Sequence, residues 1–311
     1  MASALFGRRT FLAGTGALAL AGCSGSSTTA PKSDANVVRI GHQTAGDLLH
    51  TRGSLEARLA RLGFTVQWFQ FASGPPLLEA MGAGAIDFGP AGETPPVYAQ
   101  AAGSDFVYLA NVPPFGGGKV LALVVPGSSS VRRLADLRGK KIAYVQGSAA
   151  QYFLVKALAE VGLAPDDVEG VSLPPGDALA AFNRGDVDAW VAWDPYLIRV
   201  EEAGARVLRN AAGINTQGAY FLGTRAFAAA HPEVVREILD EYWAVGEWAE
   251  AHPAETAKIL ASQMSLDLAT ATALAGRRRF TLRPIDAAVL ARQQQAADLF
   301  LKLGTLPRPV D

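Results

Sequence analysis

The chain has 311 residues, 50% of them hydrophobic and 18% charged, with a mean hydropathy of +0.16. That is too apolar and too weakly charged for a disordered chain, and at ~150 residues per domain it is long enough for about two domains. A formal net charge of −1 gives no bulk field to hold nucleic acid. The single cysteine, Cys23, excludes an intramolecular disulfide, a cysteine-based zinc cluster and an iron–sulfur site.

The first 35 residues read as an address. Arg8 and Arg9 are followed by a mostly apolar stretch over 11–22. Spanning a bilayer takes ~20 apolar residues, so the stretch is a signal core and not an anchor. The Arg-Arg-Thr-Phe-Leu run resembles a twin-arginine export signal, and Leu20-Ala21-Gly22-Cys23 resembles a bacterial lipobox. The expectation is cleavage after residue 22, lipid attachment at Cys23 and a flexible tether over 23–35. The plainer alternatives are a general secretory signal and a free thiol in a discarded peptide. Removing residues 1–22 takes away Arg8 and Arg9 and no acid, leaving 26 basic side chains against 29 acidic, a net −3.

Hydrophobic periodicity then predicts alternating strands and helices. Strands fall at 37–40, 64–71, 85–88, 107–110 and 120–125, with helices over 48–62, 75–82 and 94–102. A second run has strands at 141–145, 168–173, 188–193 and 205–208, with helices over 148–161, 177–184 and 195–203. After Ala219-Tyr220-Phe221-Leu222 the remainder reads as helical, with helices over 232–250, 253–263 and 286–303. Such alternation predicts an α/β fold with two lobes of parallel-type sheet flanked by helices, and a helical C-terminal tail.

An internal repeat supports two lobes. At an offset of 101, Leu78, Ala80, Met81, Gly84, Ile86 and Asp87 are matched by Leu179, Ala181, Phe182, Gly185, Val187 and Asp188. The same offset carries Glu93 onto Asp194, so each copy ends its strand with a carboxylate that opens the next helix. The bland role for both carboxylates is helix capping or dipole pairing. The functional one is to hold a cationic group of a ligand.

Gly147-Ser148 follows a strand and opens a helix, where first-turn N–H groups suit a small oxyanion; the commoner fate of such a serine is a plain N-cap. Gly92-Glu93-Thr94 offers a second helix start. Trp190 and Trp193 stand three apart at the end of one strand and so face opposite sides. Trp193 is the candidate cleft wall, with a core position as the alternative. Phe115, in the glycine-rich loop 113–118, is a further apolar candidate.

Enzymatic constellations are poor. No HExxH, GxSxG or P-loop pattern occurs, and the Gly116-Gly117-Gly118-Lys119 run lacks the following Ser or Thr. His231 and His252 precede prolines at helix starts and read as surface residues. No metal site or cofactor is expected.

From about residue 37 to the end, the chain resembles the periplasmic aliphatic-sulfonate-binding proteins of ABC importers, close to the taurine and nitrate binders. The resemblance is carried by Arg39-Ile40-Gly41-His42-Gln43, Gly84-Ala85-Ile86-Asp87-Phe88-Gly89, Gly92-Glu93-Thr94-Pro95-Pro96, Gly147-Ser148, Gly185-Asp186-Val187-Asp188-Ala189-Trp190 and Trp193-Asp194-Pro195-Tyr196. It implies a type II periplasmic-binding fold, with one lobe from 36–124 plus 219–311 and the other from 125–218. It also implies an exported receptor, lipid-anchored at the outer face of the cytoplasmic membrane or periplasmic. Such a receptor is monomeric and delivers an organosulfonate to a permease served by a separate ATPase subunit. By motif match the ligand residues are His42, Gln43, Gly92, Glu93, Gly147, Ser148, Trp193 and Asp194, with Thr94 and Ala149 beside them in the candidate site.

The chain departs from the family pattern in having His42 for Tyr, Glu93 for Asp, and Ala149 and Ala150 for further serines. Two cleft carboxylates would favour a zwitterion such as an aminoalkane sulfonate. The alternatives are a receptor for nitrate, bicarbonate or another small anion, and an enzyme on the same fold of the pyrimidine-precursor synthase or sulfinate desulfinase type. The desulfinases of that fold use a cysteine that the mature domain lacks.

Overall fold

Asp87 and Asp188, the repeated aspartates, do the same job in two separate sheets. The computed structural model describes residues 36–44, 47–113, 118–214 and 218–310; the export segment with Cys23, and Phe115, lie outside them. The first sheet contains β1 (Val37–Gln43), β2 (Thr65–Phe71), β3 (Phe88–Gly92), β4 (Phe106–Val112) and β10 (Ala219–Thr224), in the order β2-β1-β3-β10-β4. The second contains β5 (Leu121–Val125), β6 (Lys141–Tyr144), β7 (Glu169–Ser172), β8 (Ala189–Trp193) and β9 (Arg206–Asn210), in the order β7-β6-β8-β5-β9.

The two orders follow one pattern. In each, four strands run parallel and one strand enters antiparallel next to the third: β10 in the first sheet, β5 in the second. Both sheets are therefore mixed, where periodicity alone predicts parallel ones. Strand direction is not written in an apolar run of this length, since β5 and β10 are buried on both faces like parallel strands.

Each aspartate sits just before its strand begins. The Arg39 N–H donates to Asp87 Oδ2 at 2.9 Å, and the Asp87 N–H donates to the Arg39 carbonyl at 2.8 Å. In the second sheet the Lys141 N–H donates to Asp188 Oδ2 at 2.9 Å, and the Asp188 N–H donates to the Lys141 carbonyl at 2.9 Å. The carboxylate thus stands in for the ladder partner that the neighbouring strand does not yet supply.

The strand predicted at 85–88 lies further on, at Phe88–Gly92. Residues 83–87 are spent on the turn out of α3 (Gly74–Gly82) and on the aspartate clamp. Pro90 hides the strand from a propensity reading, because proline has no N–H for a ladder. It also leaves β1 and β3 with the single register pair Ile40↔Phe88. The helix predicted over 48–62 is two, α1 (Leu48–Arg52) and α2 (Ser54–Ala60), broken at Gly53 with φ +64°.

Both sheets are covered on both faces. The first packs against α2, α9 (Pro232–Ala251), α10 (Pro253–Met264) and α11 (Leu268–Arg277) on one side, and against α3 and α4 (Thr94–Ala101) on the other. The second packs against α5 (Ala149–Ala159) on one face and against α6 (Pro175–Arg184) and α7 (Tyr196–Glu202) on the other. The last helix, α12 (Ala287–Lys302), puts Ala296, Ala297 and Phe300 into the same core as Phe153 and Leu154 of α5 and Val97 and Ala101 of α4. Two helices of the C-terminal region, α8 (Arg225–Ala230) and α11, have no individual signal in the periodicity. Among the described residues no helix is long and apolar enough to cross a membrane.

Candidate ligand-binding site

β1, β3 and β10 of the first sheet and β5 and β8 of the second contribute residues to one cavity of about 320 Å3. Gln43 closes β1, and its Nε2 donates to the Pro90 carbonyl at 3.0 Å. Gly92 closes β3 without a side chain, and a Cβ built there would stand 3.8 Å from the Ala149 Cβ of the second sheet's α5. Ligands of open α/β sheets sit beyond strand carboxyl ends such as these.

Strand parity places the tryptophans as expected. Trp190 is buried against Phe182 and Tyr196, while Trp193 is half-buried and lines the cavity. Beside it, Asp194 is buried to 3% exposure. Its Oδ1 lies 3.4 Å from Arg277 Nη1, and its Oδ2 has no hydrogen-bond partner among the described residues. Burial pushes its pKa up to about 6, against the pull of Arg277 and Arg278. Arg278 is held down to about 10 by burial, with Asp194 acting the other way.

Ser148 is the N-cap of α5. Its Oγ accepts the Ala150 N–H at 3.1 Å and donates to the Val145 carbonyl at 2.6 Å. The capping role is therefore filled, while Ser148 and Ala149 still line the cavity. The Gly147 N–H, by contrast, is taken by Gln151 Oε1 at 2.7 Å, and Gly147 is not in the wall.

Of the residues singled out in the sequence, Gln43, Gly92, Ser148, Ala149, Trp193 and Asp194 meet in this cavity; His42, Glu93, Thr94 and Gly147 do not line it. His42 points to the other face of β1, where its ring lies tilted 4.6 Å from that of His50 and edge-on 6.1 Å from Trp68. Burial lowers its pKa, and His50 adds to that while Asp47 opposes it. Thr94 is fully buried. Glu93 occupies the N-cap position of α4 but makes no side-chain capping bond.

Several wall residues carry no sequence signal. Asp47 is a third buried carboxylate, but its capacity is used. It caps α1 through Leu49 and His50, and it accepts the Tyr242 hydroxyl at 2.8 Å. Arg278, Arg279 and Phe280 arrive from the segment after α11. That segment reaches the cavity because Gly246 lets α9 approach it closely: a Cβ there would lie 2.6 Å from the Phe280 carbonyl oxygen. Three successive arginines at the end of an unrecognised helix give a reader of sequence no reason to place Arg278 and Arg279 at a cavity.

Two mixed sheets in the same strand order, with a cavity between their strand ends, define a periplasmic-binding-type fold. The chain belongs to the NMT1-like family, whose pattern matches residues 52–265. A curated relative from Escherichia coli (strain K12), whose name places it with the aliphatic sulfonates-binding proteins, is 35% identical over 301 residues, covering 94% of this chain and 93% of its own. The alkanesulfonate-binding protein SsuA from Xanthomonas axonopodis pv. citri, solved bound to MOPS, superposes with a TM-score of 0.83 at 38% identity, covering 88% of this chain and 95% of its own. The desulfurization enzyme DszB shares the fold at a TM-score of 0.65 and 17% identity, over 88% of this chain and 94% of its own.

Proposed function

We propose that this chain is the extracytoplasmic solute-binding receptor of an ABC importer, and that it captures an organosulfonate between its two lobes. One lobe is built on the first sheet, 36–120 with 219–311, and the other on the second, 121–218, because β5 pairs with β8 and β9 and so moves the expected boundary at 124 to before Leu121; the chain crosses between the lobes twice. The observation that carries the reading is the make-up of the 320 Å3 cavity. Its wall combines the apolar face of Trp193 with the first turn of α5 and with Arg278 and Arg279. Such a site offers backbone N–H groups and guanidinium charge to an anionic head, and an aromatic surface to an organic tail.

Both lobes supply wall residues, so a bound ligand stabilises the closed arrangement by contacts that an open one lacks. Delivery to a permease then follows, with ATP hydrolysed on a separate subunit. The relatives named for sulfonate binding support the substrate class, and the name of a solved Escherichia coli relative, a periplasmic aliphatic sulphonate binding protein, supports export. A lipid anchor at Cys23 and a monomeric state belong to the same proposal.

The small-anion alternative fits the cavity less well, because nitrate or bicarbonate would leave most of 320 Å3 and the Trp193 face unused. The desulfinase alternative lacks its cysteine nucleophile, since the sequence holds no cysteine beyond Cys23. A thermal-shift screen of sulfonates, nitrate and bicarbonate tests the reading. The unfolding midpoint should rise with pentanesulfonate concentration. A rise with nitrate or bicarbonate alone would replace the proposal with the small-anion one.

A further inference from the structure

A second cavity, of about 150 Å3, adjoins the first, with Gly218 in the wall of both. Its wall is polar. Glu93 lines it together with Tyr152 and Lys156 of α5, Tyr220 of β10 and Arg292 of α12. Glu93 is buried to 7% exposure, and neither of its carboxyl oxygens has a hydrogen-bond partner among the described residues. A buried acid with two empty acceptors is costly unless something else fills them.

The charges around this cavity are of both signs. Burial is the main effect on Glu93, pushing it up to about 8, and no basic side chain counters it. Tyr220 feels both signs: after burial, which holds it up at about 12, Glu93 raises its pKa and Arg292 lowers it. Glu93 and Arg292 thus both act on Tyr220, which shares the cavity wall with them. The volume equals about five waters at ~30 Å3 each, the scale of a small organic molecule.

We propose that this cavity is a second ligand site for a small zwitterion, whose ammonium group is held by Glu93 and whose carboxylate or sulfonate is held by Arg292 and Lys156. An ammonium supplies the donors that both Glu93 oxygens lack, and the two bases match an anionic group. The proposal stands independently of what fills the larger cavity.

A pH dependence follows. The groups facing Glu93 are Tyr152 and Lys156 from α5, Tyr220 from β10, Tyr108 and Asn111 from β4, and Arg292 and Gln293 from α12. The phenols Tyr108, Tyr152 and Tyr220 are all raised by burial, out of the neutral range. Glu93 must lose its proton to hold an ammonium group, so binding at pH 7 releases a proton. Affinity should rise up to tenfold per pH unit between 6 and about 8, then level off.

Isothermal titration of the full chain with β-alanine tests this, with propionate and propylamine as probes that each lack one charge. The expected result is one β-alanine bound per chain, at least tenfold tighter than either control. Its affinity should be unchanged when pentanesulfonate is already present. Glu93→Gln and Arg292→Gln should each weaken β-alanine at least tenfold. Arg292 is half-buried on a helix, so that variant keeps the test decisive if Glu93→Gln does not fold. Absence of saturable binding, equal affinity for the controls, or variants that bind as well as the parent would overturn the proposal. Mutual displacement of β-alanine and pentanesulfonate would also overturn it, because only one site would then exist. A chain that binds β-alanine but no sulfonate would sink the sulfonate receptor and leave this site standing.

Discussion

Replacing the two repeated aspartates one at a time should show how differently the two halves depend on the same device. Asp87 accepts three hydrogen bonds from Arg39: the backbone N–H at 2.9 Å, Nε at 3.0 Å and Nη2 at 2.7 Å. Its side chain is 11% exposed, so little water is at hand to replace these donors. Asp188 accepts the Lys141 N–H at 2.9 Å, its side chain is 41% exposed, and its Lys140 pair is stretched to 4.0 Å. Hydrogen bonds to a charged group contribute roughly 1.5–3 kcal/mol each but do not add fully when they share one carboxylate. Asp87→Ala should therefore cost about 3 kcal/mol. Asp188→Ala should cost about 1 kcal/mol, since a solvated pair adds little. At about 2–4 °C per kcal/mol for a chain of this size, the unfolding midpoints should differ by several degrees. Calorimetry of both variants measures this directly. Equal losses, or a larger loss at Asp188, would refute the claim that these hydrogen bonds pin the third strand of each sheet.

Four further outcomes are expected. Ser148→Ala should lower stability by about 1 kcal/mol, through loss of the α5 cap, in ligand-free protein; a variant as stable as the parent would argue against the cap. Gly246→Ala should destabilise by roughly 1–3 kcal/mol, because the new methyl meets the backbone of Phe280 and Thr281, and it should weaken sulfonate binding by displacing the cavity wall. Trp193→Ala should reduce affinity for pentanesulfonate about tenfold or more, as expected for an aromatic anchor, with little change in the affinity for a short-chain sulfonate. Stability should fall as pH rises from about 5 to 8, by up to about 1.4 kcal/mol per unit for each group involved. The folded pKa values of Glu93 and Asp194 stand at about 8 and about 6, above their ordinary values of 4.5 and 3.8. The folded state therefore holds more protons than the unfolded state within that window, and losing them costs stability. Glu93→Gln should flatten the slope between pH 6 and 8, and an unchanged slope would contradict the assignment.

Much of this architecture was legible because period and punctuation agree over short stretches. The 101-residue offset places α3 and β3 onto α6 and β8, and Gly185 marks the helix end where Gly84 marks the turn. Strand parity separated Trp190 from Trp193 but did not say which of the two faces the cavity. Strand direction was not legible, because β5 and the Ala219–Leu222 stretch of β10 read as plain buried strands and nothing local distinguishes a strand that enters antiparallel. Pro90 concealed β3 by breaking a propensity rule that a strand with a nearly unpaired side can ignore. Glu93 was placed correctly at a helix start, yet neighbouring positions on a chain can face different cavities: Gly92 closes one and Glu93 the other. The inward turn of Arg278 depends on Gly246, 32 residues earlier, and no local pattern connects the two.

The receptor reading is tested most directly by calorimetric titration of the purified full chain with pentanesulfonate, using nitrate and bicarbonate as comparison ligands. The account predicts saturable binding of one pentanesulfonate per chain, weakened by Trp193→Ala, with both small anions bound far more weakly. Absence of binding by pentanesulfonate, or affinity for it unaltered in Trp193→Ala, would contradict the assignment of the larger cavity as an organosulfonate site.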